Sequence, residues 1–156
     1  MESIYIELNF MNQKTYLLNT MVKIMILKTK TYKLPCHHRL ISNQLSHKSN
    51  LKIFSKCMGL YGHGHEYLIR LSFRLQTNDF ELEKKVDQHI YDKVIKLFSH
   101  QSLNKVFKDI GIQNPITTGE QIVLIFANIL NQDIISKNYY KIEVVETPKN
   151  SFYHFF

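Results

Sequence analysis

Residues 57–75 read CMGLYGHGHEYLIRLSFRL, and the second half of the stretch dictates its local structure. Tyr67, Ile69, Leu71, Phe73 and Leu75 occupy every second position, with Arg70, Ser72 and Arg74 between them. Successive side chains of a strand point to opposite faces, so this alternation predicts a half-buried β-strand with only Leu68 out of step. If the strand starts early, His63 and His65 share the face of Tyr67, Ile69 and Leu71. Gly62 and Gly64 leave room there for a tight backbone or a closely approaching ligand. Paired imidazoles on a partly dry face suit zinc, which takes neutral nitrogen ligands. The plainer reading is two ordinary histidines at a strand entrance, because an isolated His-x-His is a weak motif.

A metal would need a third ligand from elsewhere in the chain. The stretch CHHRL at 36–40 offers His37 or His38, and Cys36 and Cys57 are further candidates. Spacing alone does not choose among them.

Outward from this strand, the segment VKIMILKTKTYKL from Val22 alternates apolar residues with Lys and Thr and predicts a second strand. Residues 40–56, rich in Ser and Asn, read as a connecting loop with a short helical turn. A helix is expected over about Phe80–Leu97, with Leu82, Val86, Ile90, Val94 and Leu97 as its apolar stripe. Another begins at TTGEQ, where Thr117 and Glu120 have capping-box spacing. A last strand, YYKIEVVE, alternates through Tyr140, Ile142 and Val144. Strands around two helices, without repeats, predict an α+β domain with an antiparallel sheet. Residues 1–21 show no sustained period and read as an N-terminal extension, leaving 22–156 as a single domain.

Composition narrows the class. A chain of 156 residues is long enough for one core and short of two. Its apolar runs, such as Ile122–Ala127, fall far short of a membrane span, and the N-terminus shows no secretory signal. Two cysteines make no disulfide framework, so reduced thiols in the cytosol are expected. The net charge of +7 raises nucleic acid as a partner, but the lysines are dispersed and no nucleic-acid motif appears. A diffuse positive field suits a small polyanionic ligand equally well.

The stretch HHRLISNQLSHKSNLKIFSKCMGLYGHGHEY resembles the 6-pyruvoyl-tetrahydropterin synthase family, which has His-Arg-Leu, Asn-Leu-Lys, then Cys, five residues and His-Gly-His. The similarity continues in order through FSHQSL at 98–103, TTGEQIVLIFANIL at 117–130 and VVET at 144–147, covering about residues 22–150. The resemblance implies a four-stranded antiparallel sheet with two helices on one face, the tunnelling-fold type, assembling into a barrel-forming trimer or hexamer. It implies one zinc per chain on His38, His63 and His65, with Mg2+ also admitted, and Arg39-Leu40 decides for His38 over His37. Three protein ligands leave the open position that a catalytic zinc needs. The implied substrate is a small pterin triphosphate, 7,8-dihydroneopterin triphosphate, converted in the cytoplasm to 6-pyruvoyl-tetrahydropterin for tetrahydrobiopterin synthesis, without nucleic-acid or membrane partners. By the same resemblance Cys57 is the base, His100 assists it, Glu146 anchors the pterin and Thr117-Thr118 line the pocket. Glu146 also has independent support, since its parity with Ile142 and Val144 points it toward the apolar face. A carboxylate there needs partners, and adjacent pterin N–H groups would supply them.

The chain departs from the family at three points. Ser99 stands where the family has an aspartate before the catalytic histidine, so the charge that would orient His100 is missing. Glu66 replaces a common Asn, and RLQTNDFELEK lacks the usual glycine-bearing turn. Two rivals follow: a weakened or silent pterin- or zinc-binding homologue, for which Ser99 argues, and a 6-carboxy-tetrahydropterin synthase. The latter group usually has three residues between cysteine and His-Gly-His, and the five of MGLYG favour the pyruvoyl enzyme.

Overall fold

A computed structural model describes residues 5–6, 25–76 and 78–156. The expected extension over 1–21 lies outside the described residues except for Tyr5–Ile6, a two-residue strand, β1. The sheet is an antiparallel meander in the order β1-β2-β3-β4-β5. Its four long strands are β2 (Met25–His38), β3 (His63–Gln76), β4 (Tyr139–Thr147) and β5 (Asn150–Phe155).

β3 follows its alternation: Tyr67, Ile69, Leu71, Phe73 and Leu75 are all buried. β2 runs beyond the expected Leu34 to His38, in unbroken register from Met25 opposite Gln76 to His38 opposite His63. Pro35 is tolerated within it because β2 lies near the sheet edge, where a missing N–H breaks no ladder. The Pro35 carbonyl still accepts from the His100 N–H.

The helices pack on one face. α1 (His47–Phe54) is capped by Ser46, whose hydroxyl accepts from the Ser49 N–H. α2 (Phe80–Ile90) opens into a π-helical stretch, Tyr91–Ile95, and closes as α3 (Lys96–Phe98). Sequence periodicity assigned Leu97 to the buried stripe, yet Leu97 is 44% exposed and Phe98 is fully buried. The wider π turn delays the inward position by one residue. α4 (Leu103–Asp109), not anticipated, inserts Leu103 and Phe107 into the core. α5 (Gly119–Leu130) starts one residue later than the expected Thr117 cap, from Thr118, whose side chain makes no capping bond; the Thr117 hydroxyl donates to the Arg39 carbonyl.

β4 carries a second correction. Phe73 pairs with Tyr139 and Ser72 with Lys141, so Tyr140 sits in a bulge and Tyr139 takes the buried position. Tyr139 then donates to or accepts from His89 Nδ1 at 2.6 Å, while His89 Nε2 meets Asp133 at 2.9 Å. β5, not anticipated as a separate strand because its residues are half exposed, is the last of the four long strands and closes the meander.

Phe98, Phe107 and Phe126 bind the helices together, with ring centroids 5.0 to 6.3 Å apart. Phe126→Ala should cost about 3–5 kcal/mol, the scale of a fully buried aromatic truncated to a methyl. Urea unfolding measures this, and a loss below about 1 kcal/mol would show that the three rings do not act as one core.

Candidate metal centre

The β2–β3 register places His38 opposite His63 and Cys36 opposite His65, all at one end of the sheet. Gly62 makes the approach possible. Its φ is +67°, and a Cβ built there would lie 2.1 Å from the His38 carbonyl oxygen. The resulting ring nitrogens of His38, His63 and His65 lie within 4.8 Å of one another, a group that could hold a metal ion. His38 Nε2 and His63 Nε2 are 3.1 Å apart.

The surroundings prepare these rings as ligands. His38 is buried, and its Nδ1 lies 2.7 Å from the Thr117 carbonyl, to which it donates. That bond fixes the tautomer and leaves the Nε2 lone pair facing His63. His65 Nε2 is buried without a hydrogen-bond partner among the described residues. Such an orphan is costly unless something accepts its lone pair, and a cation would. Burial lowers the pKa of His38; the Thr117 bond raises it and His63 lowers it further. Burial lowers that of His65 too, against the opposing field of Glu146. Both rings are therefore neutral at pH 7, the form in which imidazole ligates metal.

The loop behind His38 is clamped from two elements. Asn104 of α4 accepts from the Arg39 N–H at 2.8 Å and donates to the Arg39 carbonyl at 2.9 Å. The Thr117 hydroxyl donates to the same carbonyl at 3.1 Å, and Arg39 Nε reaches the Met58 carbonyl at 2.9 Å. Asn104 carried no signal in the sequence, because one polar residue on a short helix is ordinary.

Glu146 is where its parity placed it. Its Oε1 accepts from the Tyr67 hydroxyl at 3.1 Å and lies 3.6 Å from His38 Nε2 and 3.8 Å from His65 Nε2. With neutral imidazoles those two contacts are neither hydrogen bonds nor ion pairs. Burial, then the Glu146 charge, then Cys36 and Cys57, raise the Tyr67 pKa, so its phenol stays protonated. Burial also pushes the Cys36 thiol up to about 12, which leaves it inert.

Other expected site residues are distributed around this centre. Cys57 is half-buried, and its carbonyl accepts from the Leu40 N–H at 3.0 Å. Thr118 stands at the start of α5 beside Thr117. His100 is exposed with φ +59°, lining an open hollow of about 440 Å³ with His37, His65 and Glu66. Among the described residues Cys57 and His100 share no hydrogen bond, so one chain does not assemble the expected relay by direct contact. The other departures lie off the centre. Glu66 projects to the opposite face, 3.0 Å from Lys33 Nζ, and Asn78 adopts the positive φ (65°) that a turn glycine would supply.

Three converging imidazoles beside a hydrogen-bonded carboxylate, at the end of an antiparallel sheet packed with helices, define a candidate metal centre in an α+β fold. The family model described as 6-pyruvoyl tetrahydropterin synthase matches residues 28–154. The 6-pyruvoyl tetrahydrobiopterin synthase of Drosophila melanogaster is 33% identical over 121 residues, 72% of this chain and 69% of that protein. The human protein of the same name is 27% identical over 124 residues, 72% and 79% of the two chains. The solved Caenorhabditis elegans 6-pyruvoyl tetrahydropterin synthase shares the fold, with a TM-score of 0.67 at 23% identity over 85% of this chain and 96% of that one. This chain belongs to the 6-pyruvoyl tetrahydropterin synthase family of lyases.

The lowered imidazole pKa values give a pH dependence with a definite sign. Unfolded imidazoles bind a proton near 6.5, while buried His38 and His65 resist it. Acid therefore favours the unfolded chain: the penalty is absent well above 6.5 and grows as pH falls from there toward the folded values. The urea midpoint of metal-free protein should be flat above neutrality and decline below it, with a shallower decline in His65→Asn. A midpoint that rises on acidification would contradict this environment.

Proposed function

We propose that the chain converts 7,8-dihydroneopterin triphosphate to 6-pyruvoyl-tetrahydropterin with release of triphosphate, a step of tetrahydrobiopterin synthesis, using one zinc per chain. The observation that carries this reading is the convergent His38–His63–His65 group with Glu146 at its edge, in a member of this family. What favours zinc is the all-nitrogen donor set and the 3.1 Å separation of two donors, near the ~3.3 Å edge of a tetrahedron with Zn–N bonds of about 2.0–2.1 Å. Magnesium prefers oxygen donors, so Mg2+ would accompany the triphosphate rather than occupy this group. Zinc, when bound, would polarise the side-chain oxygens of the substrate and acidify their O–H and adjacent C–H groups.

The remaining work falls to the chain. Glu146 would accept two parallel N–H bonds from the pterin edge, fixing the ring relative to the imidazoles. Thr117 and Thr118 would border the pocket, Thr117 already holding His38 in orientation. Cys57, as thiolate, would take a proton from the side chain, and His100 would exchange protons with it. Because the two are not hydrogen-bonded within one chain, this arrangement favours a homo-oligomer in which subunits complete one another's relay. A trimer or hexamer in the cytoplasm is the proposed form. Among the described residues, no helix is long and apolar enough to cross a membrane.

Ser99 supports a second reading, a weakened or silent homologue. It ends α3 with an extended backbone beside His100 and carries no charge to hold the imidazole. The test is triphosphate release by zinc-loaded protein supplied with 7,8-dihydroneopterin triphosphate. Cys57→Ala should abolish release while zinc stays bound, Ser99→Asp should raise it, and His38→Ala should drop zinc well below one per chain. Zinc retained in full by His38→Ala would overturn the ligand assignment. No release from the unmodified chain, with none restored by Ser99→Asp, would make the silent homologue the better account.

A further inference from the structure

Strand periodicity assigns Tyr67 to the core, and its side chain is 1% exposed. A buried phenol still needs a partner for its O–H, and the partner identifies the role. The hydroxyl lies 3.4 Å from His38 Nδ1 and 3.5 Å from His38 Nε2, with the two rings nearly perpendicular at 89°. Near-equal distances to both nitrogens place it along neither lone pair, and Nδ1 already gives its proton to Thr117. The Tyr67 proton therefore goes to Glu146 Oε1 at 3.1 Å.

Among the described residues, Tyr67 is the one hydrogen-bond donor to that carboxylate. Among the described residues, no other hydrogen bond fixes its plane. The β4–β5 pairing shifts register between Val145 and Thr147, leaving Glu146 out of step with β5, and the terminal torsion of a glutamate is soft. The β3–β4 register ends at Leu68 opposite Val145, so the next residues of the two strands, Tyr67 and Glu146, emerge near each other, and their side chains meet. A carboxylate has about four lone-pair sites; one bond from Tyr67 leaves enough for a bidentate ligand.

We propose that Tyr67 is a positioning residue of the pterin site: by holding Glu146 Oε1 it orients the carboxylate toward the ligand's paired N–H groups and restrains it from turning onto the imidazole nitrogens. The inference rests on the reading of Glu146 as the pterin anchor. It implies that Tyr67 acts on ligand binding only through Glu146.

The test is a double-mutant cycle on the zinc-loaded full chain, titrated calorimetrically with 7,8-dihydroneopterin. Tyr67→Phe should weaken binding about tenfold, the low end for losing a hydrogen bond to a charged group, with zinc still one per chain. Tyr67→Phe combined with Glu146→Gln should bind no more weakly than Glu146→Gln alone. Tyr67→Met, which also lacks the hydroxyl, should give the same cycle if the phenylalanine variant folds poorly. A merely structural role predicts losses that multiply and zinc that falls with them, and either result overturns the inference. So does unchanged binding by Tyr67→Phe when Glu146→Gln binds weakly. If the unmodified chain binds no dihydroneopterin, or Glu146→Gln binds as well as it does, the pterin reading itself fails and the inference falls with it.

Discussion

The pairing of β2 with β3 is the constraint on which the site depends. Its register runs without interruption over fourteen residues of each strand, from the Met25–Gln76 pair to the His38–His63 pair. A slip of one residue would turn every side chain of one strand to the other face. The register cannot slip, because Leu34 of β2 and the odd-numbered residues of β3 from Tyr67 to Leu75 are buried in the core. The same hydrophobic pattern that packs the core thus brings His38, 25 residues earlier in the chain, to within 3.1 Å of His63.

Burial of His38 has a cost that its partners offset. An imidazole in an apolar setting loses water on both nitrogens, and each must find a replacement. The Thr117 carbonyl satisfies Nδ1, which in turn requires that the segment before α5 lie against the end of β2. Asn104 and the Thr117 hydroxyl secure that contact through the Arg39 peptide. Thr117 therefore supports the candidate metal centre with both its carbonyl and its hydroxyl, while Thr118 takes the position before α5.

The departures from the family pattern sort by position. Glu66 lies on the sheet face turned away from the imidazoles, and Asn78 takes a positive φ in the turn after β3, so neither is a ligand of the group. Ser99 is different. It precedes His100 at the edge of β2, where His100 is exposed and held through its backbone to Pro35. The three imidazoles are untouched by these departures, and in the proposed mechanism Ser99 alters only the support of His100.

Local periodicity was enough to read β3, the inward direction of Glu146, and the shared face of His63 and His65, since strand parity is a property of neighbouring residues. Only the resemblance to the family pointed to His38, rather than His37, as the partner of that pair. The rest depended on contacts between distant segments. Tyr139 replaced Tyr140 in the core because a bulge forms only when β3 and β4 pair, and Phe98 replaced Leu97 because of a π turn within the packed helix. α4 and β5 are short or half exposed and carry little period of their own. Tyr67 shows the division most plainly: its place in a strand was written in the alternation, while its bond to Glu146, 79 residues away, exists only because the β3–β4 register sets the two side by side.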